Sequence, residues 1–178
     1  MRITISGPPG SGKTTACKIL SDKLGLKAVV FGQLFRDLAA ERGLTLAEFG
    51  AMAEKDKTID EMIDSRILEV ARANPDIILE SRLSAYMLFK NNIPAFKIYL
   101  NASPAVRMSR VGVREGETLE EACRKTEERQ KSEAKRYMMY YGIDVEDQSV
   151  YDLIVLTDNL TPDEVIQTIL DGIKGYRC

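Results

Sequence analysis

The chain has 178 residues, 44% of them hydrophobic and 29% charged, with a formal net charge of −2. That length suits one compact domain with a real core, and the near-neutral balance excludes nucleic acid or an anionic membrane as the main electrostatic partner. There is no histidine, which excludes Ser-His and Cys-His nucleophiles and His-ligated metals, and Cys17, Cys123 and Cys178 show no metal spacing. Three such cysteines fit a reducing cytosol, so a cytoplasmic location is expected. No apolar run approaches the roughly 20 residues of a membrane span. The first apolar run begins at once, so no signal peptide is expected.

The first element is a strand around Ile3–Ile5, followed by Gly7, Pro8, Pro9, Gly10, Ser11, Gly12, Lys13, Thr14 and Thr15. Ala16, Cys17, Ile19, Leu20 and Leu24 then recur at helical spacing. A strand, a G-x-x-x-x-G-K-T loop and a helix together predict a phosphate cradle. Glycines let the backbone N–H groups curl round an anion, and the helix N-terminus adds its dipole. Lys13 is placed for the β and γ phosphates, and the Thr14 hydroxyl for Mg²⁺. A plain Gly-rich turn would leave Lys13 unexplained, so the chain is expected to bind a nucleoside triphosphate.

Further strands are predicted at Ala28–Phe31, Ile77–Leu79, Phe96–Leu100 and Leu153–Leu156, with helical periodicity between them. The alternation predicts an α/β fold, a five-stranded parallel sheet with helices on both faces. Thr followed three residues later by Glu predicts capping boxes at Thr45/Glu48, Thr58/Glu61, Thr118/Glu121 and Thr161/Glu164. The gap between the second and third strands holds three helical stretches, near 33–42, 45–53 and 58–73, a helical insertion. A second insertion is expected at 111–117, where Gly112 and Gly116 interrupt an Arg-rich region. Insertions at these two places suggest mobile flaps over a ligand.

Arginines are the second informative feature. Arg36 opens the first inserted helix, and Arg82 follows the third strand, at the sheet end where ligands bind in such folds. Arg107, Arg110 and Arg114 fall on one short helix; Arg129, Glu133 and Arg136 share one face of a long one. Six Arg, three Lys and seven Glu between 107 and 136 make a mixed surface, and Arg124 is assigned to it. Arg36, Arg82, Arg110, Arg129 and Arg136 are read as phosphate ligands, because phosphoryl transfer needs converging cations. Glu80 ends the third strand, within reach of the Mg²⁺ water shell. Asp147 is read as a turn residue, with Asp144 and Asp152 left open between turn and site.

Taken together these stretches resemble the nucleoside monophosphate kinase family, and within it the short archaeal type of cytidylate kinase. The resemblance rests on G-P-P-G-S-G-K-T at 7–14, G-x-x-F-R at 32–36, D-x-x-x-D at 60–64, I-I-L-E-S-R-L at 77–83, T-E-E-R-Q-K-S-E-A-K-R-Y at 126–137 and Y-Y-G-I-D-V at 140–145. It implies a P-loop NTPase fold over 1–178, a monophosphate-binding insertion at 32–74 and a lid at about 111–128. It implies transfer of the γ-phosphate of ATP, with Mg²⁺, to CMP or dCMP by a monomer. Gly32, Arg36, Asp60, Arg82, Arg129, Glu133 and Arg136 would hold the acceptor. Arg110 would pack over the donor adenine, Arg129 and Arg136 would bridge both phosphates, and Glu133 would sit on the ribose side. Lys13, Arg110, Arg129 and Arg136 would act in catalysis. The chain departs from the family pattern at Ser81, where Gly is usual, and at Phe31 and Gln33, where Ser or Thr is expected. Rival readings are another acceptor (AMP, UMP or shikimate) and a P-loop ATPase switch.

Overall fold

The computed structural model describes residues 1–176; Cys178 lies outside them. Five strands form one parallel sheet in the order β2-β3-β1-β4-β5, with β1 at Arg2–Ser6, β2 at Lys27–Val30, β3 at Ile77–Glu80, β4 at Phe96–Asn101 and β5 at Leu153–Leu156. A parallel sheet covered on both faces demands near-continuous apolar strands. The central strands comply: Ile3, Ile5, Ile78, Leu79, Ile98 and Leu100 are all fully buried.

Helix α1 (Lys13–Leu24) and α8 (Pro162–Gly175) cover one face through Ala16, Leu20, Val165, Ile166 and Ile169. The other face carries α4 (Lys57–Ala73) and α5 (Ser84–Lys90), packed through Ile63, Ile67, Ala71 and Leu88. The β2–β3 connection contains α2 (Phe31–Glu41), α3 (Leu46–Ala53) and α4. After β4 come α6 (Pro104–Glu115) and the long α7 (Leu119–Tyr141). Among the described residues no helix is long and apolar enough to cross a membrane.

The carboxyl ends of three strands are in step. Ile5 pairs with Glu80, and Val30 pairs with Glu80 from the other side. The segments leaving β1, β2 and β3 therefore rise from one sheet edge, a place where open α/β sheets bind ligands.

Several expectations are corrected by the packing. Phe31 is the first residue of α2 instead of the last of β2, and its ring is buried in the cluster under α4. Thr45, Thr118 and Thr161 each make a complete capping box with Glu48, Glu121 and Glu164. Thr58 does not: Asp56 is the N-cap, accepting from the Thr58 N–H at 3.0 Å and its hydroxyl at 2.6 Å. Glu61 instead pairs with Lys57 at 2.6 Å. The stretch 111–117 is helical instead of interrupted: it is the last turn of α6, running through Gly112 and closed by the left-handed Gly116 (φ +68°), before a short turn into α7.

Candidate active site

A cleft of ≈650 Å³ opens over the in-step strand ends. One wall is the loop from β1 to α1. Gly10 has φ +81°, and a Cβ there would lie 2.4 Å from the Arg107 carbonyl oxygen, so only glycine lets the loop lie against α6. Two α6 arginines tie this loop in place. Arg107 Nη1 donates to the Pro9 carbonyl at 3.2 Å and to Gln130 Oε1 at 3.0 Å. Arg110 donates to the Gly10 carbonyl at 3.3 Å, and to the Thr157 hydroxyl and carbonyl, each at 2.9 Å. The Thr157 hydroxyl in turn donates to the Ser11 carbonyl at 3.3 Å. Loop, α6 and the end of β5 thus form one hydrogen-bonded unit.

Lys13 begins α1, and its ammonium donates to the Pro8 carbonyl at 2.9 Å. Burial lowers its pKa from 10.5 to about 8; Glu80 opposes the shift, while Arg82 and Arg129 reinforce it. The Thr14 hydroxyl donates to Glu80 Oε2 at 2.9 Å, so the end of β3 and the start of α1 present two hard oxygens side by side. Among the described residues no cluster of three or more acidic, His or Cys side chains could hold a metal alone. The Thr14–Glu80 pair fits a Mg²⁺ that takes its other ligands from water and phosphates.

The opposite wall carries positive charge. Gly32, Gln33 and Arg36 come from α2, Ser81 and Arg82 from the turn after β3, and Arg129 from α7. Arg36 is oriented by Gln33 Oε1, at 3.2 Å from Nε and 3.0 Å from Nη2, which gives Gln33 a local purpose. Burial lowers the Arg36 pKa, and the Arg129 and Arg114 charges add to that, while Glu80 and Glu115 oppose it.

Glu133 is 4% exposed and stands between two of these arginines. Arg129 Nε donates to its Oε1 at 2.8 Å, and Arg82 Nε lies 3.3 Å from its Oε2. Burial pushes the Glu133 carboxyl up, but Arg129 and Arg82 outweigh it and hold the pKa below the ordinary value.

Arg136 does not join Arg129 in the main cleft. Its Nε donates to Asp60 Oδ2 of α4 at 2.8 Å and its Nη1 to the Ser132 hydroxyl at 2.8 Å, and the residue is 2% exposed. Seven residues carry it about 10 Å along α7 on nearly the same face, beside α2–α4 and outside the main cleft. Arg136 and Asp60 are therefore an ion pair beside a second cavity, and Glu133 stands as a brace between Arg129 and Arg82. Of the remaining expected residues, Pro9, Gly10, Gly12 and Thr15 line the cleft, while Gly7, Pro8 and Ser11 do not. Asp144 and Asp147 make turns, accepting from the Glu146 and Ser149 N–H groups at 2.9 Å each, and Asp152 pairs with Lys97 at 2.7 Å across β4–β5.

The sequence pointed to Arg110 but missed Arg107 and Thr157, whose roles depend on which carbonyls they meet. Arg114 and Glu115 also line the cleft, at the end of α6.

The model of the cytidylate kinase-like family matches residues 2–159. A cytidylate kinase from Halobacterium salinarum is 45% identical over 178 residues, all of this chain and 92% of that one. One from Sulfurisphaera tokodaii is 43% identical, covering 95% of this chain and 93% of its own. Shikimate kinase from Aquifex aeolicus shares the fold, with TM-score 0.61 at 19% identity over 98% of this chain and 97% of that one. An uncharacterized protein from Eubacterium ventriosum superposes with TM-score 0.72 at 16% identity, over 99% of both chains.

Proposed function

The chain belongs to the cytidylate kinase-like family, and on that footing we propose that it transfers the γ-phosphoryl group of ATP to CMP or dCMP, giving ADP and CDP or dCDP. The observation that carries this reading is the meeting of two cation sets in one cleft: Lys13 on the phosphate loop, and Arg36, Arg82 and Arg129 facing it. A hydrolytic switch has no use for the second set.

In this reading the phosphate loop holds the ATP phosphates and Lys13 neutralises the group in flight. Thr14 and Glu80 would hold Mg²⁺, directly or through water, and the ion would draw charge from the β and γ phosphates. Arg36, Arg82 and Arg129 hold the acceptor phosphate. Its oxygen is already a nucleophile, so no general base is needed; catalysis is alignment and charge neutralisation. Arg110, which lines the cleft beside the loop, covers the donor nucleotide. The helices at 32–74 serve as the acceptor-binding insertion, and the α6–α7 tip within 111–128 as the lid. One chain supplies every group named, which supports a monomeric enzyme working on soluble cytoplasmic nucleotides.

An acceptor screen tests this. Purified protein with ATP and Mg²⁺ should form ADP with CMP and dCMP far faster than with AMP, UMP or shikimate. ADP release that is brisk without any acceptor, and unchanged by all of them, would return the chain to the class of ATPase switches.

A further inference from the structure

Arg107 is a buried cation that makes no ion pair among the described residues. It is 9% exposed, and it donates to neutral oxygens: the Ala102 carbonyl at 3.1 Å, the Pro9 carbonyl at 3.2 Å and Gln130 Oε1 at 3.0 Å. Burial and the nearby Arg82 charge lower its pKa, opposed by Tyr99 and Glu146. A buried charge held by neutral groups alone is costly and needs a reason. Its Nη1 serves two elements at once, the phosphate loop through Pro9 and α7 through Gln130. Among the described residues, the bond to Gln130 is the one hydrogen bond that joins the loop, α1 or α6 to α7.

Helix α7 runs on from Gln130 to the other half of the site. Arg129, beside Gln130 in the chain, lines the main cleft. Farther along, Lys135 pairs with Glu54 at 2.5 Å, and the Tyr140 hydroxyl donates to the Ala53 carbonyl at 2.6 Å. The Tyr141 hydroxyl donates to Asp64 Oδ2 at 2.8 Å. Ala53 and Glu54 end α3, and Asp64 lies on α4, so α7 carries two helices of the insertion. Gln130 thus stands where the phosphate loop is fastened to the helix that holds the acceptor side.

We propose that Arg107 and Gln130 are positioning residues that couple the two halves of the cleft, so that ATP and CMP each tighten the binding of the other. The inference rests on the cytidylate kinase reading and adds a link which that reading does not require. The Pro9 carbonyl and the Gly10 N–H belong to one peptide unit. A donor on the carbonyl polarises that unit and strengthens its N–H towards an anion, and an anion on the N–H strengthens the carbonyl as an acceptor. Donor phosphates also bring the negative charge that Arg107 lacks in the free protein. Both effects draw Arg107 Nη1 to the loop. Gln130 Oε1 is bonded to the same nitrogen and is held with it. That fixes α7, and with it Arg129 and the insertion helices, in the place the acceptor needs. Coupling between two binding events is reciprocal, so the acceptor must help the donor by the same factor.

Isothermal titration calorimetry tests this. It measures the Kd of CMP with and without Mg²⁺ and a saturating non-hydrolysable ATP analogue, and the Kd of the analogue with and without CMP. In wild type both should tighten by the same factor, about fivefold or more. Gln130→Leu keeps the bulk and removes the acceptor, so the factor should fall to about one. Gln130→Glu restores an acceptor, now charged, and should keep a factor of about fivefold or more. Gln130 is half-buried, and melting temperatures check that each variant folds. Where Gln130→Leu does not fold, Gln130→Ala carries the same expectation. A wild-type factor of about one overturns the coupling and leaves the kinase reading intact. So does a factor in Gln130→Leu within about twofold of wild type, or a factor lost in Gln130→Glu as well. A wild-type protein that binds the analogue but binds CMP under neither condition overturns both.

Discussion

Replacing Glu133 by Gln keeps shape and removes one charge from the middle of the site. In the free protein that carboxylate faces Arg129 at 2.8 Å and Arg82 at 3.3 Å, with side-chain exposures of 5% for Glu133, 22% for Arg129 and 11% for Arg82. Removing one partner of a buried ion pair costs about 3–5 kcal/mol, because the other charge is left unpaired. Both arginines border the open cleft, so the lower end, about 3 kcal/mol, applies. At about 2–4 °C per kcal/mol for a chain of this size, Glu133→Gln should melt about 6–12 °C lower than wild type. Bound phosphates bring negative charge back to the same arginines. The rise in melting temperature on adding ATP and CMP should therefore be larger in the variant. Its kcat should also fall about tenfold or more, because unbraced guanidinium groups lose their alignment on the transferring phosphoryl. Differential scanning fluorimetry with and without nucleotides, beside steady-state kinetics, measures all three. A free-protein melting temperature within about 1 °C of wild type, or an unchanged nucleotide increment, would refute the bracing role.

Lys13→Ala should abolish most turnover with little change in melting temperature; rates within about threefold of wild type would remove Lys13 from the chemistry. Because its pKa is about 8 in the free protein and phosphates stabilise the ammonium, ATP binding at pH 8.5 should take up protons, read by calorimetry in buffers of different ionisation enthalpy. Arg36→Ala, which breaks only the contact with Gln33 in the free protein, should raise KM for CMP and leave KM for ATP nearly unchanged. Burial pushes the Asp64 carboxyl from 3.8 up to about 7, against the opposing hydrogen bond from the Tyr141 hydroxyl at 2.8 Å. The folded state then holds this proton at pH values where the unfolded chain has lost it, so Asp64 lowers stability as pH rises from 3.8 to about 7. Asp64→Asn should raise the melting temperature at pH 8 relative to wild type and give no such gain at pH 4; equal shifts at both would contradict the assignment.

The parallel sheet was legible because buried strands announce themselves as apolar runs, and the phosphate loop because its glycines and Lys13 occur at fixed spacing before a helix. Three capping boxes were legible for the same local reason. Thr58 misled because a capping box and an Asp N-cap two residues earlier leave similar letters, and only the chain path chooses between them. The Gly112–Gly116 stretch misled because glycine in a helix can serve close packing: a Cβ at Gly112 would meet the Glu117 carbonyl at 3.2 Å. Arg136 marks the limit for the site. Spacing on α7 put it on one face with Arg129, but seven residues also carry it about 10 Å along the helix axis, beside Asp60, which lies 76 residues away in sequence. No periodicity shows which cation will find a buried carboxylate from another helix.

The ties on the phosphate loop also bear on how the chain is made. Residues 7–15 leave the ribosome well before the residues that frame them: the loop's carbonyls are held by Arg107 and Arg110, 98 and 100 positions later, and by Thr157, 146 positions later. Contacts so distant in sequence close late, after the intervening chain has been synthesised. A nascent chain released before Thr157 would carry the whole nucleotide-binding motif and still lack its frame. ATP can therefore stabilise this domain only after Thr157 has been made, and fragments stalled on the ribosome with stepwise-longer chains should gain nucleotide affinity abruptly once β5 has emerged.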